Sequence, residues 1–156
     1  MFVDNNLVLS GAISAVGAVS GQAVYSAGTS VLSTNAVDLG TGRDIGEGAD
    51  LFGRFEVTVA AVGGTSIEMQ VISADDAALS VNVTVIGTTG AIPVASLTLG
   101  SRTACDINPR IGSKGQRYMG ARYISVGTTT AGSVFADLGI DIQDGQKFYA
   151  TSINVL

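Results

Sequence analysis

Few side chains in this sequence are of types that carry chemistry, and their spacing limits what they can do. Gly40, Gly42, Gly46 and Gly48 surround Arg43 and Asp44 in a stretch that suggests a phosphate-binding loop. A P-loop ends in Gly-Lys-Ser/Thr, because the lysine and the hydroxyl reach the phosphates and Mg²⁺, and no such triplet follows. The dinucleotide fingerprint needs a third glycine where Ile45 stands. No helical pattern follows to aim a dipole at an anion. The stretch reads as a wide loop whose glycines permit positive φ.

The acids and the lone thiol are no closer to a site. Asp75 and Asp76 are adjacent, but metal binding or glycosidase chemistry needs partners that the sequence does not place beside them. A Ser-Ala-Asp-Asp turn before Ala77 and Ala78 reads as a helix cap, with a short helical turn over 74–79. Asp137, Asp141 and Asp144 lack the spacing of a calcium loop, and the first two fall on a strand face expected to be solvated. Cys105 is the one cysteine, so no disulfide forms within the chain. The chain holds no histidine. That excludes histidine-based catalysis and leaves Cys105 without a base, as a small buried hydrophobe. No Gly-x-Ser-x-Gly elbow is present. Asn82-Val83-Thr84 fits a glycosylation sequon but lies within an expected strand. Tyr118 and Tyr123 are not spaced as an RNA-binding aromatic pair. These residues point away from an enzyme and call for no cofactor or metal.

The elements that position these residues are strands. With 156 residues the chain suffices for one domain with a true core, and 46% hydrophobic content with 13% charge opposes disorder. Phe55, Val57 and Val59 alternate with Arg54, Glu56 and Thr58, the period of a half-buried strand. Gly63-Gly64 follows, then Ile67, Met69 and Val71 alternate with Ser66, Glu68 and Gln70, so a hairpin is expected. Val81, Val83 and Val85 begin another strand, broken at Thr88, Thr89 and Gly90. Pro93 marks a sheet edge or strand entrance. A tyrosine-rich strand spans 117–126. In the last clear strand Val134, Ala136, Leu138, Ile140 and Ile142 face one way. About eight short strands result, which predicts an all-β fold, an antiparallel jelly-roll sandwich over 31–156. Residues 1–30, small and apolar, form an extended N-terminal arm and first strand region.

Charge narrows the partners. The net charge is -5, which opposes nucleic-acid binding. Residues 102–122 nevertheless carry Arg102, Arg110, Lys114, Arg117 and Arg122 against Asp106 alone, a net +4 window that suits an acidic partner surface. The apolar run 7–24 is preceded by Asp4 rather than by a basic residue, and serines and glycines interrupt it. It predicts neither a signal peptide nor a membrane span, and a soluble, unexported protein is expected.

Three stretches carry a family resemblance: 34–48 (TNAVDLGTGRDIGEG), 91–97 (AIPVASL) and 109–123 (PRIGSKGQRYMGARY). In their order and spacing they resemble the capsid cement, or decoration, proteins of tailed double-stranded DNA phages. The resemblance implies a jelly-roll subunit on the outer capsid surface of a virion, made in the host cytoplasm. It implies contact with the major capsid protein and a small homo-oligomer, a homodimer being favoured over a homotrimer. Three contact elements are expected. They are the arm residues Phe2, Val3, Leu7, Val8 and Leu9, the paired charges Arg43 and Asp44, and the basic residues Arg110, Lys114 and Arg117. The alternative is a carbohydrate- or receptor-binding jelly roll, which the lack of tryptophan disfavours.

Overall fold

The structure is a computed structural model that describes residues 4–25, 30–40, 50–107 and 116–140. Arg43, Asp44, Arg110, Lys114, Phe2 and Val3 lie outside the described residues. The strands are β1 (Val8–Ser10), β2 (Ala12–Ile13), β3 (Val19–Ser20), β4 (Gln22–Ala23), β5 (Ser30–Leu32), β6 (Val37–Asp38), β7 (Phe52–Gly63), β8 (Ser66–Ala74), β9 (Thr84–Pro93), β10 (Arg102–Asp106), β11 (Tyr118–Val126) and β12 (Thr129–Gly139). The first sheet runs β1-β12-β7-β10, with β4 also on β12. The second runs β5-β11-β8-β9, with β6 also on β11. Every pairing is antiparallel. The expected all-β antiparallel sandwich is the observed fold.

Alternation builds the core. Phe55 and Val57 from β7, Ile67, Met69 and Val71 from β8, Ala121 and Tyr123 from β11, and Val134, Ala136 and Leu138 from β12 meet between the sheets. Each large side chain buried this way contributes roughly 1.5–3 kcal/mol. Phe55 and Tyr123 meet edge to face, with centroids 6.2 Å apart. The two long sides of the sandwich are closed. On one, Gln22 of β4 donates from Nε2 to the Leu32 carbonyl at 2.6 Å and accepts from the Thr34 amide at 2.7 Å. On the other, β9 and β10 come so close that a Cβ at Gly87 would stand 2.7 Å from the Asp106 carbonyl oxygen.

The structure departs from the expected local features in several places. The segment around Gly63-Gly64 is not a hairpin. β7 and β8 belong to different sheets, and the chain crosses between them there. A second crossing, at Gly127 between β11 and β12, packs against the first: the Thr65 amide bonds the Val126 carbonyl at 2.7 Å. Gly63 and Gly64 take φ of 75° and 70°, and a Cβ on Gly64 would lie 2.6 Å from Thr129 Oγ1, so the corner requires glycine. The alternation Phe55, Val57, Val59 fails at its last member. The β7–β12 register shifts between Ser133 and Val134, which pair with Val59 and Val57, and this bulge turns Val59 outward to 50% exposure. β9 runs through Thr88–Gly90 rather than breaking, because Thr89 Oγ1 takes a hydrogen bond from the Met69 amide at 3.2 Å inside a second bulge. β9 is a sheet edge ending at Pro93, as its proline predicts. Ile140 is exposed, not inward.

The loop after β8 is a turn and not a helix. Asp76 Oδ1 accepts from the Ser80 and Val81 amides, both at 2.8 Å, so its carboxylate does for a loop what a cap does for a helix. These bonds hold its pKa below the ordinary aspartate value. Leu79, at φ 57°, folds its side chain onto the outer face of the second sheet with Ile72 and Ala74. The space it fills is left by Gly120, where any Cβ would overlap the leucine methyls.

Candidate interaction site

At one end of the sandwich the charges gather. Arg117, just before β11, grips Asp38 of β6 through two parallel bonds, Nε to Oδ1 and Nη2 to Oδ2, each 2.7 Å. The Gly40 amide adds a third bond to Oδ1 at 2.8 Å. The Arg117 guanidinium bonds and the Gly40 amide draw the Asp38 pKa down to about 2. The bonds to Asp38 in turn raise the Arg117 pKa. The guanidinium also lies 5.1 Å from the centroid of the Tyr118 ring. Both partners are nearly half exposed, so the pair is a surface feature.

This pair brings together what the sequence holds apart. Asp38 and Gly40 precede the loop of Arg43 and Asp44, and Arg117 follows the basic stretch of Arg110 and Lys114. At the opposite flanks of the same two segments, the Ile107 amide bonds the Leu51 carbonyl at 2.9 Å. The described residues bordering both expected contact segments are thus hydrogen-bonded side by side at one end of the sandwich. Of the expected contact residues, Arg117 is exposed there and engaged with Asp38.

The N-terminal residues are placed differently. Leu9 is fully buried in the core, Val8 is buried where β1 pairs with β12 beside Asp137, and Leu7 packs against the core cluster. Val8 and Leu9 are therefore part of this chain's own packing, and they offer no apolar surface to a neighbour. What is exposed is the β2–β3 hairpin that follows them, with Val16 90% exposed at its turn.

On the outer face of the first sheet Asp137 is not solvated as expected, and Asp141 lies outside the described residues. Asp137 is buried beside Arg54, which holds it through two side-chain bonds, one from Nε to Oδ1 at 3.1 Å and one from Nη2 to Oδ2. Burial pushes the Asp137 carboxyl upward and the guanidinium opposes that shift. Glu56 and Arg102, cross-strand neighbours, pair at 3.0 Å. Cys105 sits between the sheets, its thiol pushed up to about 11 by burial, as an unreactive hydrophobe should be. The described residues include no group of three or more metal-ligating acids, cysteines or histidines.

The other end of the sandwich is neutral. It is built from 57–67, 94–101 and 123–136, none of which contains a charged residue. Val59, Val62, Leu99 and Val126 are exposed there. Glu68 lies near this end on the outer face of the second sheet, held by Gln70 at 2.6 Å and Thr88 at 2.8 Å. Sequence reasoning missed this surface, although the charge-free runs that form it are plain in the sequence.

One family model, Bbp16, matches residues 18–138. No curated protein matches the chain.

Proposed function

The chain belongs to the Bbp16 family, and on that premise we propose that it is a structural virion protein. In this reading it binds the outer surface of a capsid and holds neighbouring major capsid protein subunits together. The observation that carries the reading is the contrast between the two ends of one closed sandwich. Hydrogen bonds and close backbone approach bridge both long sides, and the two ends of the sandwich differ in chemistry. One is charged and flanks the basic window; the other is uncharged and apolar. A spacer with two chemically distinct ends can meet two surfaces at once, which is what cementing requires. The resemblance of 34–48, 91–97 and 109–123 to phage decoration proteins supports the same reading.

The mechanism is physical and involves no cofactor and no reaction. Modest contacts made simultaneously to several subunits sum through avidity. Binding that favours the expanded shell stabilises it by mass action and slows subunit loss. Co-sedimentation of the purified chain with expanded shells tests the reading. Pelleting with shells, weakened when Arg110, Lys114 and Arg117 are replaced together by Ala, is the expected result. A wild-type chain that stays in the supernatant at saturating shell concentration overturns it.

A further inference from the structure

A polar pocket of about 290 Å³ opens at the charged end, where β8 ends, β9 begins and the chain enters β11. Asp75, Asn82, Val83, Thr84 and Gln116 line it, and Gln116 directly precedes Arg117. The walls are fixed from within. Gln116 is buried; its Oε1 accepts from Ser73 Oγ and its Nε2 donates to the Asn82 carbonyl. Asn82 stands at φ 53°, a left-handed conformation that asparagine tolerates better than most residues. From there its Nδ2 donates to Asp75 Oδ2 at 2.7 Å. The Asp75 amide bonds the Val81 carbonyl at 3.1 Å and closes the loop between them.

These bonds leave the pocket one-sided. The side-chain amides of Asn82 and Gln116 both donate into the wall itself. Asp75 Oδ1 and Asn82 Oδ1 accept from no described residue. The pocket therefore carries one negative charge and offers lone pairs, which calls for a ligand that is a donor and a cation. A divalent metal ion wants several oxygen ligands and more charge than one carboxylate supplies. The described residues include no group of three that could hold one. The volume lies near the lower limit of small-molecule sites, roughly 300 Å³, which suits a single side chain. A guanidinium meets these conditions: its planar fork of donors matches a carboxylate edge, keeps its charge and is weakly hydrated.

We propose that this pocket receives an arginine side chain from the protein surface on which the chain docks. The charged end then reads both signs. Arg110, Lys114 and Arg117 suit acidic groups, and the Asp75 pocket suits a basic one. Opposite signs side by side fix the register of a contact, because a shifted partner meets like charge. The proposal rests on the capsid reading for the identity of that surface.

Titration of the full chain with N-acetyl-arginine amide, followed by the side-chain amide signals of Asn82 and Gln116 in nitrogen–proton correlation spectra, tests the pocket. Saturable shifts of both signals are expected, with none from N-acetyl-leucine amide. Asp75→Asn should weaken binding of the arginine probe by about tenfold or more, since it removes the charged acceptor. Asp106→Asn removes the same charge from an exposed site outside the pocket and should leave binding unchanged. Absence of a saturable shift in the wild-type chain, an equal response to the leucine probe, or equal effects of the two substitutions would each overturn the proposal. Backbone signals of Asp75→Asn that overlay those of wild type separate a lost contact from a lost fold, and the wild-type titration decides the matter if that variant does not fold. Shell co-sedimentation separates the two readings. Asp75→Asn should reduce pelleting with shells, and unchanged pelleting refutes the docking role of the pocket. Shell binding by a wild-type chain that ignores the probe refutes the pocket alone, and probe binding without shell binding refutes the capsid reading alone.

Discussion

Tyr123 donates its phenolic hydrogen to Ser10 Oγ at 2.6 Å in the interior of the sandwich, joining the centre of β11 to the N-terminal strand β1. Both side chains are buried, and burial together with this bond sets the tyrosine: desolvation pushes its pKa up while Ser10 draws it down. The bond makes β1 a structural part of the fold. Ser10→Ala should leave the phenol without an acceptor and cost about 1–3 kcal/mol, whereas Tyr123→Phe should cost about 0.5–1.5 kcal/mol. Urea unfolding of both variants measures the difference. Truncation through Ser10 should cost more than either, because it also removes Leu9 from the core; a truncated chain of unchanged midpoint would show that β1 is dispensable.

Arg54 and Asp137 form a second long-range tie, between adjacent strands on the outer face. A buried carboxylate deprived of its guanidinium is left with an uncompensated charge. Arg54→Met should therefore destabilise by about 3–5 kcal/mol. Arg54→Met combined with Asp137→Leu should recover a large part of that loss, because no ion is then buried. Thermal midpoints of the three variants check this, and a double variant as unstable as the single would contradict it.

Leu79 and Gly120 fit as knob and socket. Gly120→Ala introduces a methyl where Leu79 lies, and overpacking of this kind costs about 1–3 kcal/mol. Leu79→Ala alone creates a gap over Ile72 and Ala74. The two substitutions should not add. The double variant is expected to fall short of the sum by about 0.5–3 kcal/mol, and strict additivity in denaturant unfolding would refute the contact.

Asp38 sets the expected pH response of the charged end. Its folded pKa, about 2, is below the ordinary 3.8 because Arg117 favours the ionised form. The stability it contributes is thus fully present above about pH 4 and lost as pH falls toward 2. The gap in unfolding midpoint between wild type and Asp38→Asn should be constant from pH 7 to 4 and close between 4 and 2. Salt should narrow it at every pH, because the pair is exposed. A gap that persists unchanged at pH 2 would show that the ion pair is not its source.

Much of the architecture was legible from the order of residues. Period-two alternation located the inner faces of β7, β8 and β12, because a strand buried on one face must alternate. Pro93 marked an edge, since it lacks a ladder donor. The Ser-Ala-Asp-Asp turn reads as a helix cap, and Asp76 does satisfy backbone amides, but those of a loop rather than a helix. Where the reading failed, the missing information was non-local. A Gly-Gly turn announces that the chain reverses; whether the next strand joins the same sheet depends on the partner corner at Gly127, over sixty residues away. Val59 alternates correctly in sequence, and the β12 register turns it outward.

The sequence alone determined the class of fold, through alternation and glycine punctuation, and the charge balance of each segment. It also determined that no histidine chemistry exists, since that depends on composition. Only the tertiary structure decided that β1 belongs to the core, that Asp137 is buried with Arg54, and that the runs 57–67, 94–101 and 123–136 converge on one neutral end. The reason is that pairing between strands is a long-range choice. Each strand's pattern says which face is buried, and only the assembled sheets say which neighbours share that face and which ends of the strands meet.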